Sequence, residues 1–276
     1  MAPPFAINTY SYTLSHTAPD CLRHLAAQGY ADFELMIYPG HLWPAGTDAA
    51  ARRELRALVE AERLRIVSLN MPNIDMNVAA AAEEMRRYTL GLLHAILELA
   101  GDLEVPGVVV GPGKANPLLP APRERLLGHF FRALDELAPH AERLGTQLYL
   151  ENMPFAFLPD AESLMAALER HGDERIAVVY DVANAVFIGE DLGAGLRRVA
   201  GRLKLVHLSD TPREVYRHSP VGEGVVPFAA LPPLLAEVGH ADLPMLEIIA
   251  ADPDQAIRAS IERLHVLGWP RRAGGA

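Results

Sequence analysis

An eightfold alternation of short apolar runs with longer helical patterns constrains this chain more than any other feature. Runs over residues 5–12, 31–37, 65–70, 105–110, 148–150, 176–180, 203–208 and 245–249 read as strands, because each is short, largely apolar and bounded by turn residues. Amphipathic patterns over 18–28, 48–63, 79–100, 121–144, 160–170, 192–200, 228–238 and 253–267 read as helices between and after them. Glycines 29, 101 and 145 close three of these, and at Gly145 a left-handed cap is expected. Strands alternating with helices form a parallel sheet, and closure into a (β/α)8 TIM barrel is the economical form at 276 residues. An open doubly wound sheet needs a glycine fingerprint after the first strand, and Tyr10-Ser11-Tyr12-Thr13 offers none. One domain over residues 1–270 is expected, with 271–276 as a loose tail.

Four consecutive strands end alike. Leu148-Tyr149-Leu150 runs into Glu151, Val178-Val179-Tyr180 into Asp181, the run 203–206 into His207, and Pro244-Met245-Leu246 into Glu247. A carboxylate emerging from a buried strand is costly unless it is paired or coordinated. Each has an ordinary explanation alone: Asp181 could cap the following turn, and His207 could bond a backbone carbonyl. Four such groups at equivalent strand ends point instead to joint coordination, on the face where barrel active sites lie. Three carboxylates and one imidazole make a mainly hard donor set for one divalent metal ion, suited to Mn²⁺, Mg²⁺ or Co²⁺ and open to Zn²⁺. Such an ion relieves the repulsion among the carboxylates and polarises a substrate carbonyl.

Composition narrows the partners. The formal net charge is −10, with 35 acidic against 25 basic residues and no basic cluster. That balance argues against nucleic acid and against an anionic membrane surface. The single cysteine, Cys21, excludes an internal disulfide and suits a reducing compartment. No apolar run is long enough to span a bilayer, and the first residues lack a basic stretch followed by an apolar one. A soluble cytoplasmic protein acting on a small molecule is expected.

The motifs Leu150-Glu151-Asn152, Tyr180-Asp181-Val182-Ala183-Asn184, Val206-His207-Leu208-Ser209-Asp210, Val221-Gly222-Glu223-Gly224 and Leu246-Glu247 carry a resemblance. Across roughly residues 5–267 the chain resembles the xylose-isomerase-like TIM barrel superfamily, specifically its sugar (phosphate) isomerase/epimerase group, which is similar in fold to endonuclease IV. The resemblance implies that Glu151, Asp181, His207 and Glu247 hold the ion. It also implies that Glu151 and Glu247 are the catalytic acid/base pair, working through an enediolate on opposite faces of a ketose. Glu34 and Arg213 match further substrate positions, and dimers or tetramers are common in the group. Two positions depart from the ketose 3-epimerases, which have a histidine at Asn184 and often a glutamate at Phe157. Asn184, His218, Phe157 and Trp43 complete the expected substrate contacts. Three other readings compete. One is a dehydratase of inosose or dehydroshikimate type, which would share the metal and the base. Another is an endonuclease IV-like hydrolase, which needs extra histidines where Asn70-Met71-Pro72 and Gly111-Pro112-Gly113 stand. The last is a sugar-binding protein without catalysis.

Overall fold

The computed structural model describes residues 4–71 and 75–271. The eight strands are β1 (Ala6–Asn8), β2 (Asp32–Met36), β3 (Arg65–Asn70), β4 (Val108–Val110), β5 (Leu148–Glu151), β6 (Ala177–Asp181), β7 (Leu203–Leu208) and β8 (Met245–Leu246). They pair in chain order and in parallel, and β8 pairs with β1 to close the predicted barrel. The α-helices outside it are α1 (Ala18–Ala27), α2 (Ala49–Ala61), α3 (Glu83–Asp102), α4 (Arg123–Arg143), α5 (Ala161–His171), α6 (Val182–Phe187), α7 (Leu192–Val199), α8 (Leu231–Glu237) and α9 (Pro253–Val266). Asp48, Asp160, Asp191 and Asp252 each accept a hydrogen bond from the amide three residues on, satisfying a donor that the helix start leaves without a partner. Among the described residues no helix is long and apolar enough to cross a membrane.

Strand side chains alternate between two cores. Leu148, Leu150, Val178, Tyr180, Val206, Leu208 and Leu246 belong to the large outer cluster beneath the helices. Val109, Tyr149, Ala177, Val179 and Leu205 form a separate cluster inside the barrel, and Met245 packs inside with Ala6 and Val67. A strand repeats every two residues, so the next inward positions after Tyr149, Val179, Leu205 and Met245 are Glu151, Asp181, His207 and Glu247. The ladder sets Asp181 opposite His207. This shared register brings the four polar groups to one end of the barrel. Gly195 on α7 lets the ring of Tyr180 lie against the helix, since a methyl group there would overlap the phenol.

Several boundaries differ from the expectations. The first strand ends at Asn8 rather than 12, because the Asn8 side chain accepts the Tyr10 amide (2.7 Å) and turns the chain into a single 3-10 turn, Tyr10–Tyr12. Helix α3 starts at Glu83 rather than 79 and runs through Gly101, and Glu104, at φ 54°, takes the left-handed position. Strand β4 starts at Val108 rather than 105, as the Val105 amide bonds back to the carbonyl of Ala100. Helix α6 was not expected at all. Gly145 does adopt the left-handed conformation, at φ 73°. Residues 272–276 of the expected tail, and Pro72, lie outside the described residues.

Candidate active site

Glu151, Asp181, His207 and Glu247 converge. One ligand atom from each lies within 4.8 Å of all the others, and all four residues are buried. His207 Nδ1 is 3.2 Å from Glu151 Oε1, 3.1 Å from Glu247 Oε2 and 3.9 Å from Asp181 Oδ2. Asp181 divides its carboxylate between two jobs. Oδ1 accepts the Asn184 amide (2.7 Å) and caps α6, as the simpler explanation of that residue anticipated. Oδ2 is buried with no hydrogen-bond partner. An orphaned carboxylate oxygen facing two more carboxylates and an imidazole fits a divalent cation and is otherwise hard to account for.

The second ring nitrogen of His207 faces a buried carboxylate on its other side. Its Nε2 lies 3.2 Å from Glu34 Oε1, and Glu34 in turn accepts from Asn8 (2.6 Å), Asn70 (2.9 Å) and Ser68 (2.7 Å). A carboxylate behind an imidazole orients the ring, and here it leaves the opposite nitrogen facing Glu151, Asp181 and Glu247. Burial alone would raise the pKa of Glu34, but His207 and the three donors outweigh it and the pKa is lowered. For His207, burial disfavours the charged form, yet Glu34, Glu151 and Glu247 push its pKa well above the ordinary value. Asp181 and Glu247 are both raised, chiefly by burial and then by neighbouring carboxylates that His207 and, for Asp181, His218 only partly offset.

These directions give a test of cation binding. With Asp181, Glu247 and His207 all raised, the metal-free site holds protons up to and around pH 7 that an entering ion must displace. Affinity for Mn²⁺ should therefore strengthen as pH rises from 6 to 7, by about tenfold for each proton displaced. Titration calorimetry in two buffers of different ionisation enthalpy measures both the affinity and the proton release. A pH-independent affinity with no proton release would contradict the ligand set.

Above the donors lies a cavity of about 330 Å³. Of the four converging groups only Glu151 and Glu247 line it; Asp181 and His207 are fully covered. Asn184 and His218 also line it, joined through Tyr216. The Tyr216 hydroxyl donates to Asn184 Oδ1 (2.7 Å) and lies 2.8 Å from His218 Nε2. His218 Nδ1 is 3.0 Å from the Ser209 hydroxyl and 3.5 Å from Glu247 Oε2. The turn 221–226 that follows is clipped by Asp210, whose carboxylate accepts the amides of Gly222 and Val226.

Four expected contacts fall elsewhere. Glu34 is fully buried beneath His207 with its oxygens committed to protein donors, so it supports the site rather than facing substrate. Arg213 is exposed and lines a separate surface cleft with Glu190 and Asp191. Trp43 and Phe157 pack against the hydrophobic core, Phe157 edge-on to Phe130. Phe155, two residues earlier, lines the cavity instead, because the turn from Met153 to Ala156 carries it over the mouth. Tyr10, Lys114 and Tyr216 were not anticipated either; all come from loops or turns, where no periodicity marks a direction.

A closed eight-stranded barrel whose mouth gathers three carboxylates and an imidazole defines a TIM barrel with a metal-type donor set at its C-terminal strand ends. The chain belongs to the xylose isomerase-like TIM barrel family, whose model matches residues 22–266. An uncharacterised protein of Methanocaldococcus jannaschii is 27% identical over 194 residues, covering 68% of this chain and 64% of that protein's length. The fructoselysine 3-epimerase of Shigella flexneri is 21% identical over 253 residues, 89% of this chain and 91% of the enzyme. The IolI protein, solved with a bound zinc atom, superposes with a TM-score of 0.78 at 18% identity, over 95% of this chain and 96% of that one.

Proposed function

We propose that this protein is a divalent-metal-dependent isomerase or epimerase of a small carbohydrate ketone. The observation that carries the reading is that, of four converging donors, only the two glutamates reach the cavity. Glu151 stands on β5, and Glu247 just after β8, flanking Asp181 and His207 of β6 and β7. Two carboxylates reaching one cavity from different sides suit removal of a proton from the carbon beside a carbonyl and its return, on the same or the opposite face. A divalent ion held by Glu151, Asp181, His207 and Glu247 would stabilise the negative charge that develops on the carbonyl oxygen. Asn184, Tyr216 and His218 form a connected polar edge that orients substrate hydroxyls. The epimerase from Shigella and the zinc-bound IolI structure support both halves of the reading, reaction and metal. The hydrolase alternative loses ground because the described ends of β3 and β4 supply Asn70, Met71, Gly111 and Gly113 to the cavity and no histidine.

Solvent exchange tests the chemistry directly. The protein loaded with Mg²⁺, Co²⁺ or Zn²⁺ is incubated in D₂O with ketoses, ketose phosphates, inosose-type ketones and phenyl and hexyl glycosides of keto-sugars, and followed by NMR. Deuterium is expected at the carbon beside the carbonyl with metal and not after chelation. The product then distinguishes isomerisation, epimerisation and dehydration. Metal-loaded protein that exchanges no proton on any of these ketones would overturn the reading.

A further inference from the structure

The cavity at the mouth of the barrel has two unlike kinds of lining. Glu151, Asn184, Tyr216, His218 and Glu247 are polar, with Tyr10, Asn70 and Lys114 beside them, whereas most of the remaining lining is thioether and hydrocarbon. Met36, Met71, Met76 and Met153 all line the cavity, four of the eight methionines in the chain. Phe155 and Ile249 stand at the rim, 64% and 43% exposed. Side chains of this size exposed at the mouth of one cavity signal a ligand surface more than incidental exposure. The ring of Phe155 is held rather than loose: it meets Tyr216 edge-on at 5.5 Å and Phe187 at 6.1 Å.

A free ketose that placed its carbonyl end on the glutamates would turn the hydroxyls that Asn184, Tyr216 and His218 do not take against this wall, forfeiting hydrogen bonds they make in water. A phosphate ester meets a single lysine there, Lys114, whose pKa burial lowers, and no arginine fork among the described lining residues, while Arg213 sits in another cleft. An aliphatic or aromatic group gains by leaving water there, and unbranched thioethers adapt to its shape. We infer that the substrate is a keto-sugar conjugate, its sugar on the glutamates and its apolar substituent on Met36, Met76, Met153 and Phe155. The inference rests on the isomerase/epimerase reading for the reaction, but the wall can be tested without any reaction.

Phenyl, hexyl and methyl β-D-glucosides carry no ketone, so their binding to the Mn²⁺-loaded protein by titration calorimetry is independent of turnover. The phenyl and hexyl compounds should bind at least about tenfold more tightly than the methyl one. Phe155→Ser and Met153→Gln, at exposed and half-buried positions that spare the fold, should each remove much of that advantage. Equal binding of the three, no binding of any, or fructose 6-phosphate binding more tightly than the phenyl glucoside would each overturn the inference. Deuterium exchange on the same preparation reports separately on the reaction. Exchange with free ketoses but no apolar preference sinks only the conjugate; apolar preference without exchange on any ketone sinks the isomerase/epimerase reading.

Discussion

Glu151→Gln and Glu247→Gln are each expected to reduce metal-dependent deuterium exchange by about a thousandfold. The amide keeps the shape of the side chain but cannot accept the substrate proton, and general acid/base groups typically contribute 10² to 10⁴ in rate. Both residues also stand in the ligand set, so exchange must be read at saturating Co²⁺ with bound metal measured on the same sample. Asp181→Asn provides the contrast. Asp181 does not reach the cavity, and its amide variant should bind metal more weakly yet recover most exchange as the ion concentration rises. A glutamine variant of either glutamate that exchanges within tenfold of the parent, with metal bound, would remove that residue from the chemistry.

Glu34→Ala is expected to destabilise the metal-free protein by about 3–5 kcal/mol, the usual cost of removing one partner from a buried ion pair. The substitution removes the carboxylate that faces His207 Nε2, leaving the ring only Glu151 and Glu247 on its other side, and leaves the donors of Asn8, Ser68 and Asn70 facing a void. The contribution has a defined pH range. Glu34 is held below its ordinary pKa, so its share is present at neutral pH and fades as pH falls through that lowered value. His207 is held above its own, so its share is present in acid and is lost as pH rises through the raised value. Urea unfolding at pH 6 measures the difference where both are charged. Metal affinity should also fall, by about 10- to 100-fold, as it does when the group behind a ligating histidine is lost. A Glu34→Ala variant as stable as the parent, binding metal as tightly, would show that the buried pair holds neither the fold nor the ring.

The barrel and its four converging donors could be read from the amino-acid order because both follow from local periods. Apolar runs of strand length alternating with helical patterns leave few arrangements at this chain length, and β-pairing carries every second side chain to the same side. Glu151, Asp181, His207 and Glu247 inherit their positions from Tyr149, Val179, Leu205 and Met245, two residues before each. Arg213, Trp43 and Phe157 had no such guide, nor did Tyr216, Phe155 and the methionines that line the cavity in their place. They lie in loops or turns or, like Met36, at a strand end whose role depends on what faces it across the mouth. Glu34 shows the same division within one residue. Its place on a strand was legible, but its partner His207 is 173 positions away and meets it only because the barrel closes. Local sequence sets which way a strand residue points. Only closure of the barrel and the packing of its loops decide what that residue meets, because those contacts join segments that no local pattern links.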